Sequence, residues 1–400
     1  MSLPFGWIRE QFPALDGGTV FLDNAAGSQV PRQVVEQVTG TLTRANANKG
    51  AAHRASVEVT EMVDRVRSRT AELLGAPEGS AVAFGPNATS LIGLLADAWR
   101  RHLSEGDEVV VTALDHHANV DPWTKLSASG VVVRRWDVRG PQAELVPDDL
   151  GRLLNARTRL LAITGASNAL GTIPAVRKAS DMVHRAGGHV AVDAVHLAPH
   201  VPPDVAELGV DMLVFSPYKV FGPHLGVLWL SEEMLRRLPH HGLAFMQSGQ
   251  PLTWEPGTQS HEAIAGWGGT LDYLDLLAGQ LGEPQGRLGW RRVFGEFAAH
   301  EAVLCARLLE GLHGLGAEIY GLPTVVGRTS TVSFNLAGRT AEEVAHRAAS
   351  QEVAVSNGHY YAWNLMMEHL GLRDRGGAVR ASAVHYNTMD DVERLLSVLA

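Results

Sequence analysis

A lysine in the segment SPYKVFGPHLG, Lys219, follows the apolar run DMLVFS and sits among Ser, Pro and Gly, residues that turn a chain sharply. An amine just beyond the end of a strand stands where open sheets bind ligands, and it can attack a carbonyl. Most lysines are solvated surface groups, so the neighbours decide. In HVAVDAVH, Asp193 closes an apolar run. Its carboxylate is costly to ionise there unless a cation meets it. A protonated pyridine nitrogen is such a cation, and a lysine paired with that carboxylate is the arrangement by which a pyridine aldehyde accepts carbanion electrons. The plain alternative for Asp193 is a helix N-cap after the strand.

A phosphate on such a ring needs a seat. FGPNATSLIGLLADAW offers a Gly/Pro/Asn turn after a strand, with Thr89 and Ser90 opening an amphipathic helix whose free N–H groups and dipole favour an anion. Neither a GKS/T ending nor a GxGxxG is present, and alone the segment reads as an ordinary capped helix. In LDHHANVDPW, His116 and His117 follow the run EVVVTAL, which brings at least one of them to the same mouth, where it can stack on a flat ring. No HExxH or CxxC accompanies them, so no metal is expected.

These groups need a frame. From about Val82 to Leu230 short apolar runs (VAF, EVVVTAL, VVVRRWDV, RLLAIT, HVAVDA, DMLVFS, GVLWL) alternate with helical stretches. That is the pattern of a mostly parallel sheet covered on both faces. Residues rich in Gly, Pro, His and Gln from about Pro239 to Gly257 read as an irregular loop. An amphipathic stretch from Trp290 to Leu315, a strand in TSTVSFNL and a final helix in DDVERLLSVLA then predict a separate α+β unit. The expected domains are a large one over 20–285 and a small one over 286–400, with segment 1–19 packing on the small one.

The chain has 400 residues, 45% of them hydrophobic, and a mean hydropathy near zero, enough for one large core and a smaller one. A net charge of -9 without a basic, aromatic-interleaved run argues against nucleic acid. No apolar stretch approaches the roughly 20 residues of a membrane span, and MSLPFGWIREQFPAL lacks a signal core, so a cytoplasmic address is expected. Cys305, the only cysteine, lies in HEAVLCARLLEGL, whose spacing predicts a packed helix.

With these pieces in order, the sequence resembles the class V aminotransferases of pyridoxal-phosphate (PLP) fold type I, in the branch of cysteine desulfurases and selenocysteine lyases. The likeness runs through FLDNAAGS, FGPNATS, LDHHANVDPW, SNALGT, VDAVH, SPYKVFGP, WEPGTQ and VRASAVHYNT, nearly end to end. It implies an α/β fold with a seven-stranded, mostly parallel sheet flanked by helices, a small C-terminal α+β domain, and PLP held as a Schiff base by Lys219. It further implies Asp193 on the pyridine nitrogen and His116 stacked on the ring. Asn168 and His196 meet the ring hydroxyl, and Ala88, Thr89, Ser216 and Tyr218 contact the phosphate. His196 and Tyr218 stand where desulfurases have glutamine and histidine. Thr258 resembles the residue that reaches the neighbouring subunit's phosphate, which implies a homodimer. Arg380 resembles the grip on the substrate carboxylate, with Ala26, Asn48 and Tyr361 on the substrate side.

The informative departure is SNGHYYAWNLM, where Tyr361 takes the place of the sulfur-accepting cysteine. A phenol cannot form a persulfide. The expected activity is therefore a C–S or C–Se β-lyase working on a small amino acid without a protein persulfide. A class V aminotransferase is the alternative of like chemistry, and a non-catalytic PLP-binding scaffold the alternative of another class.

Overall fold

The seven apolar runs become seven strands, β1 Ala81–Gly85, β2 Glu108–Thr112, β3 Val132–Trp136, β4 Thr158–Thr164, β5 His189–Asp193, β6 Met212–Phe215 and β7 Gly226–Leu230. In the computed structural model, which describes residues 3–246 and 249–400, they form one sheet in the order β1-β7-β6-β5-β4-β2-β3. β7 alone is reversed: it pairs antiparallel with both β1 and β6, and the other adjacent pairs are parallel. The carboxyl ends of β1, β2, β4, β5 and β6 therefore share one edge, and the start of β7 joins them. Every residue of β1, β2, β5, β6 and β7 is buried, as near-continuous apolar runs require when helices cover both faces.

Helices α1 Arg32–Arg44, α2 Arg54–Leu73, α3 Ala88–His102, α4 Val176–Arg185 and α5 His261–Gln280 belong to this unit. After a turn, α6 Arg287–Gly314 leads into a four-stranded antiparallel sheet. Its strands are β8 Glu318–Tyr320, β9 Thr331–Asn335, β10 Ser356–Gly358 and β11 Ala378–Ser382, ordered β10-β11-β9-β8. Helices α7 Ala341–Ala349 and α8 Met389–Leu399 pack on it, each opened by a threonine capping box.

Two features at the N-terminus correct the expected partition. Leu3, Ile8, Phe12 and Leu15 belong to the large core rather than to the small unit alone. Phe12 meets Phe221 and Tyr273 edge-on as well as His385 and Tyr386, so segment 1–19 bridges both units. Val20–Phe21, placed by sequence in the large domain, pairs in parallel with Val353–Ala354, and Val20 and Leu22 lie in the small unit's core. Two apolar residues in an extended segment go where a strand edge offers partners. Among the described residues no helix is long and apolar enough to cross a membrane.

Candidate active site

Asp193 is the last residue of β5, and its backbone pairs with Thr164 at the end of β4. The side chain is buried at 7% exposure and its Oδ1 accepts the Val195 N–H at 2.9 Å. Burial pushes its carboxyl pKa up, with the Val195 N–H and the charge of Lys219 opposing. Lys219 lies in a turn of 3-10 helix, Pro217–Lys219, after β6, and is 6% exposed. Burial, aided by the Arg380 cation, pushes its ammonium down to about 8, against the pull of Asp193 and Asp23. Both groups are thus driven toward their neutral forms by the same desolvation.

His116 follows β2 and is fixed from beneath. Asp115, fully buried, accepts from the Thr112 hydroxyl and from Asn119 Nδ2 at 2.7 Å, and Asn119 Oδ1 accepts from Trp123 Nε1 at 3.1 Å. His116 Nδ1 accepts the Ala118 N–H at 2.9 Å, which leaves the proton on Nε2. Burial, with Lys219 and His117 adding, holds its pKa at about 4, so the ring is a neutral plate.

At the start of α3, Asn87 is the N-cap, its Oδ1 accepting the Ser90 N–H at 2.8 Å. Ser216 Oγ accepts the Ala88 N–H at 3.0 Å, tying this helix end to the Lys219 turn. β7 passes so close that a Cβ on Gly226 would lie 2.6 Å from the Asn87 carbonyl carbon, so only glycine fits there. Tyr218 stacks flat on His224 at 5.1 Å.

One cavity is lined by Ala88, Thr89, His116, Asn168, Asp193, His196, Ser216, Tyr218 and Lys219, so nine of the residues singled out by sequence come together. Arg380, on β11, adjoins it: Nη1 donates to Asn168 O at 2.9 Å, and Nη2 reaches Asp23 Oδ1 and Ser356 Oγ, both at 3.1 Å. Its guanidinium lies 4.3 Å from the Tyr360 ring centroid. Tyr361 stands at the mouth, 69% exposed, its ring 5.3 Å from that of His116. Ala26 is an exposed residue of a turn docked on the Lys219 segment, since Ser28 N donates to Tyr218 O at 3.1 Å.

Asn48 and Thr258 are not brought to this cavity within the protomer. They share a second, exposed cleft with Leu252 and His261. The reason is local: the α1–α2 connection is held against the start of α5, where His261 Nδ1 lies 3.2 Å from Ala47 O. Within one protomer Asn48 therefore lies apart from the Lys219 cavity.

The sequence alone points to no role for Asn87, Asp23 or Asp115. Asn87 had a readable signal, an Asn three residues before Ser90 at a helix start. Asp23 sits in FLDNAAGS, but only the fold shows that it faces Arg380. Tyr360 and Tyr361 both have positive φ, 53° and 59°. Such strain is held by surrounding bonds, here Asn168 Nδ2 to Tyr360 O at 2.7 Å and His117 N to Tyr361 O at 2.8 Å.

Comparison with known proteins matches this geometry to a family. The model for aminotransferase class-V matches residues 20–395. The chain is 33% identical to the aminotransferase-like protein FGM3 of Gibberella zeae, over 98% of this chain and 96% of that protein. It is likewise 33% identical to a probable cysteine desulfurase of Pseudomonas aeruginosa, over 100% of this chain and 98% of that one. The apo cysteine desulfurase of Thermococcus onnurineus superposes with a TM-score of 0.88 at 27% identity, covering 100% of this chain and 97% of that one. The chain therefore belongs to the class V aminotransferase family, in its cysteine desulfurase-like part, and is a pyridoxal-phosphate-dependent enzyme of the lyase or transferase type.

Proposed function

We propose that this enzyme is a C–S or C–Se β-lyase for a small amino acid, working from Lys219 without a persulfide on the protein. The observation that carries the reading is the separation of its only cysteine from the site. Cys305 is 2% exposed on α6 and lines a different cavity, with His200 and Arg328, while Tyr361 stands at the mouth. Burial also pushes the Cys305 thiol pKa up, which leaves little thiolate for attack on sulfur.

The residues fit the cofactor. Asn168 Oδ1 and His196 Nδ1 are buried without partners, and both residues line the Lys219 cavity. An unpartnered buried polar atom is costly, and a ring hydroxyl meets that need. Asp193 suits a protonated ring nitrogen, the start of α3 with Ser216 and Tyr218 suits a phosphate, and His116 covers a ring face. Bound there, pyridoxal phosphate supplies the electron sink for a carbanion at the substrate Cα.

The protein's own groups do the rest. Arg380 turns its fork to the substrate carboxylate; its Nε has no partner in the structure. Lys219 Nζ, its ammonium pushed down to about 8 by burial, takes the Cα proton. Loss of the Cβ substituent then gives, with one water, pyruvate, ammonia and sulfide or selenide. Tyr361 serves as the outer wall of the pocket. We take the working unit as a homodimer in which Thr258 and Asn48 serve the neighbouring site. Supporting this, Leu243, Phe245 and Leu252 on the same irregular loop are exposed at 62%, 81% and 50%.

The likeness to an aminotransferase-like protein favours transamination as the second reading. Titrating the holoenzyme with a panel of amino acids, followed in the visible band with products identified by mass, separates the two. Pyruvate with sulfide or selenide is expected. Restoration of the initial band only by an added 2-oxo acid would mark a transaminase, and binding without either product would end the lyase reading.

A further inference from the structure

The imidazole of His196 has two poles in unlike surroundings. Nε2 lies 2.9 Å from the Thr331 hydroxyl and 3.4 Å from that of Thr329, whereas Nδ1 is buried without a partner and the residue lines the Lys219 cavity. A neutral imidazole has one donor and one acceptor nitrogen, and the bond at one decides the other. Thr331 Oγ is also 2.9 Å from Ser382 Oγ, a pair in which either hydroxyl can donate; with Ser382 as the donor, Thr331 gives its only proton to His196.

Behind His196 stands a second histidine. The His200 ring lies 5.3 Å away at 69°, and its Nδ1 is 2.6 Å from Glu301 Oε2, both side chains being 4% exposed. A carboxylate only accepts, so this nitrogen carries a proton and the ring is pinned. His200 and Glu301 border a cavity of about 170 Å³ that also holds Arg328, which donates to the carbonyls of Leu170, Leu322, Thr329 and Thr331. Burial opposes a second proton on the His196 ring, with His200 behind it and Lys219 and Arg380 on the active-site side adding to the effect.

We propose that Thr331, His200 and Glu301 are positioning residues that hold His196 as a single neutral tautomer. In it Nε2 accepts from Thr331, and Nδ1–H is a fixed donor into the Lys219 cavity for the oxygen of the ring hydroxyl. The use of that donor rests on the cofactor reading above; the tautomer itself does not.

The test is nitrogen NMR of the protein labelled with 15N-histidine, with the His196 signals identified by their loss in His196→Gln. The expected result is a proton on Nδ1 and none on Nε2, with or without added pyridoxal phosphate. Thr331→Val should move the proton to Nε2 in at least half the molecules and shift the visible band of the holoenzyme, while Thr331→Ser should change neither. Glu301→Gln, which keeps shape and removes charge, should give a mixture of tautomers. A proton on Nε2 or on both nitrogens in the unaltered protein would overturn the proposal, as would Thr331→Val leaving it on Nδ1. If no visible band forms on adding pyridoxal phosphate, the cofactor reading fails instead, and the spectra of the cofactor-free protein still decide the tautomer.

Discussion

In the proposed site Lys219 and Asp193 gain together from one ligand: a positive ring nitrogen answers a buried carboxylate, and a carbonyl consumes a buried amine. Because the Lys219 ammonium is pushed down to about 8, the fraction of free amine should limit cofactor uptake. The rate at which the visible band appears in cofactor-free protein should fall about tenfold per pH unit below 8 and level off above it. A flat rate from pH 6 to 9 would contradict this. The same shift has a sign for stability. Between about 8 and the unfolded value of 10.5 the unfolded chain binds the extra proton, so the cofactor-free protein should gain stability as pH rises through that window. Lys219→Ala should abolish this gain in denaturant melts and lower turnover by about 10²–10⁴-fold. Lys219, Asp193 and His116 were legible because each ends an apolar run. Asp23 and Asn48 were not, since their neighbours are chosen by packing between segments far apart in sequence.

At the scale of elements, the site depends on a strand end and a helix start being locked together. Asn87 caps α3 and touches the start of β7, so Asn87→Ala should cost about 1 kcal/mol in a denaturant melt. With the proposed phosphate seat at this helix end, it should also weaken retention of pyridoxal phosphate more than that of the phosphate-free aldehyde pyridoxal. Equal weakening of both would place the seat elsewhere. The strands were legible as apolar runs bounded by turns, and each observed strand of the large sheet falls within or overlaps the expected run. The reversal of β7 was not, because an apolar run covered on both faces looks the same in either direction. The linkage of Val20–Phe21 to the small unit was hidden for a related reason: two residues carry no period.

The whole molecule consists of two packed units joined by the N-terminal segment, with the Lys219 cavity at the sheet edge that faces Arg380. The cleft holding Asn48 and Thr258 points outward, beside exposed Leu243, Phe245 and Leu252. If a second copy covers this face, the protein should sediment as twice 43.0 kDa, and Phe245→Glu should shift it toward single chains with weakened cofactor retention. A monomer that keeps cofactor and turnover would exclude the shared site. The division into a sheet unit and a C-terminal α+β unit was readable from the order of runs, whereas the bridging role of segment 1–19 follows from aromatic contacts that no local pattern encodes.

If carbon–sulfur or carbon–selenium cleavage at Lys219 needs no cysteine on this chain, as proposed, Cys305→Ala holoenzyme should release product. With cysteine and selenocysteine as substrates, pyruvate and sulfide or selenide are expected at the unaltered enzyme's rate, with no persulfide on the protein by mass. A folded Cys305→Ala enzyme that shows the visible band yet has lost product release, or a persulfide on Cys305 in the unaltered enzyme during turnover, would contradict it.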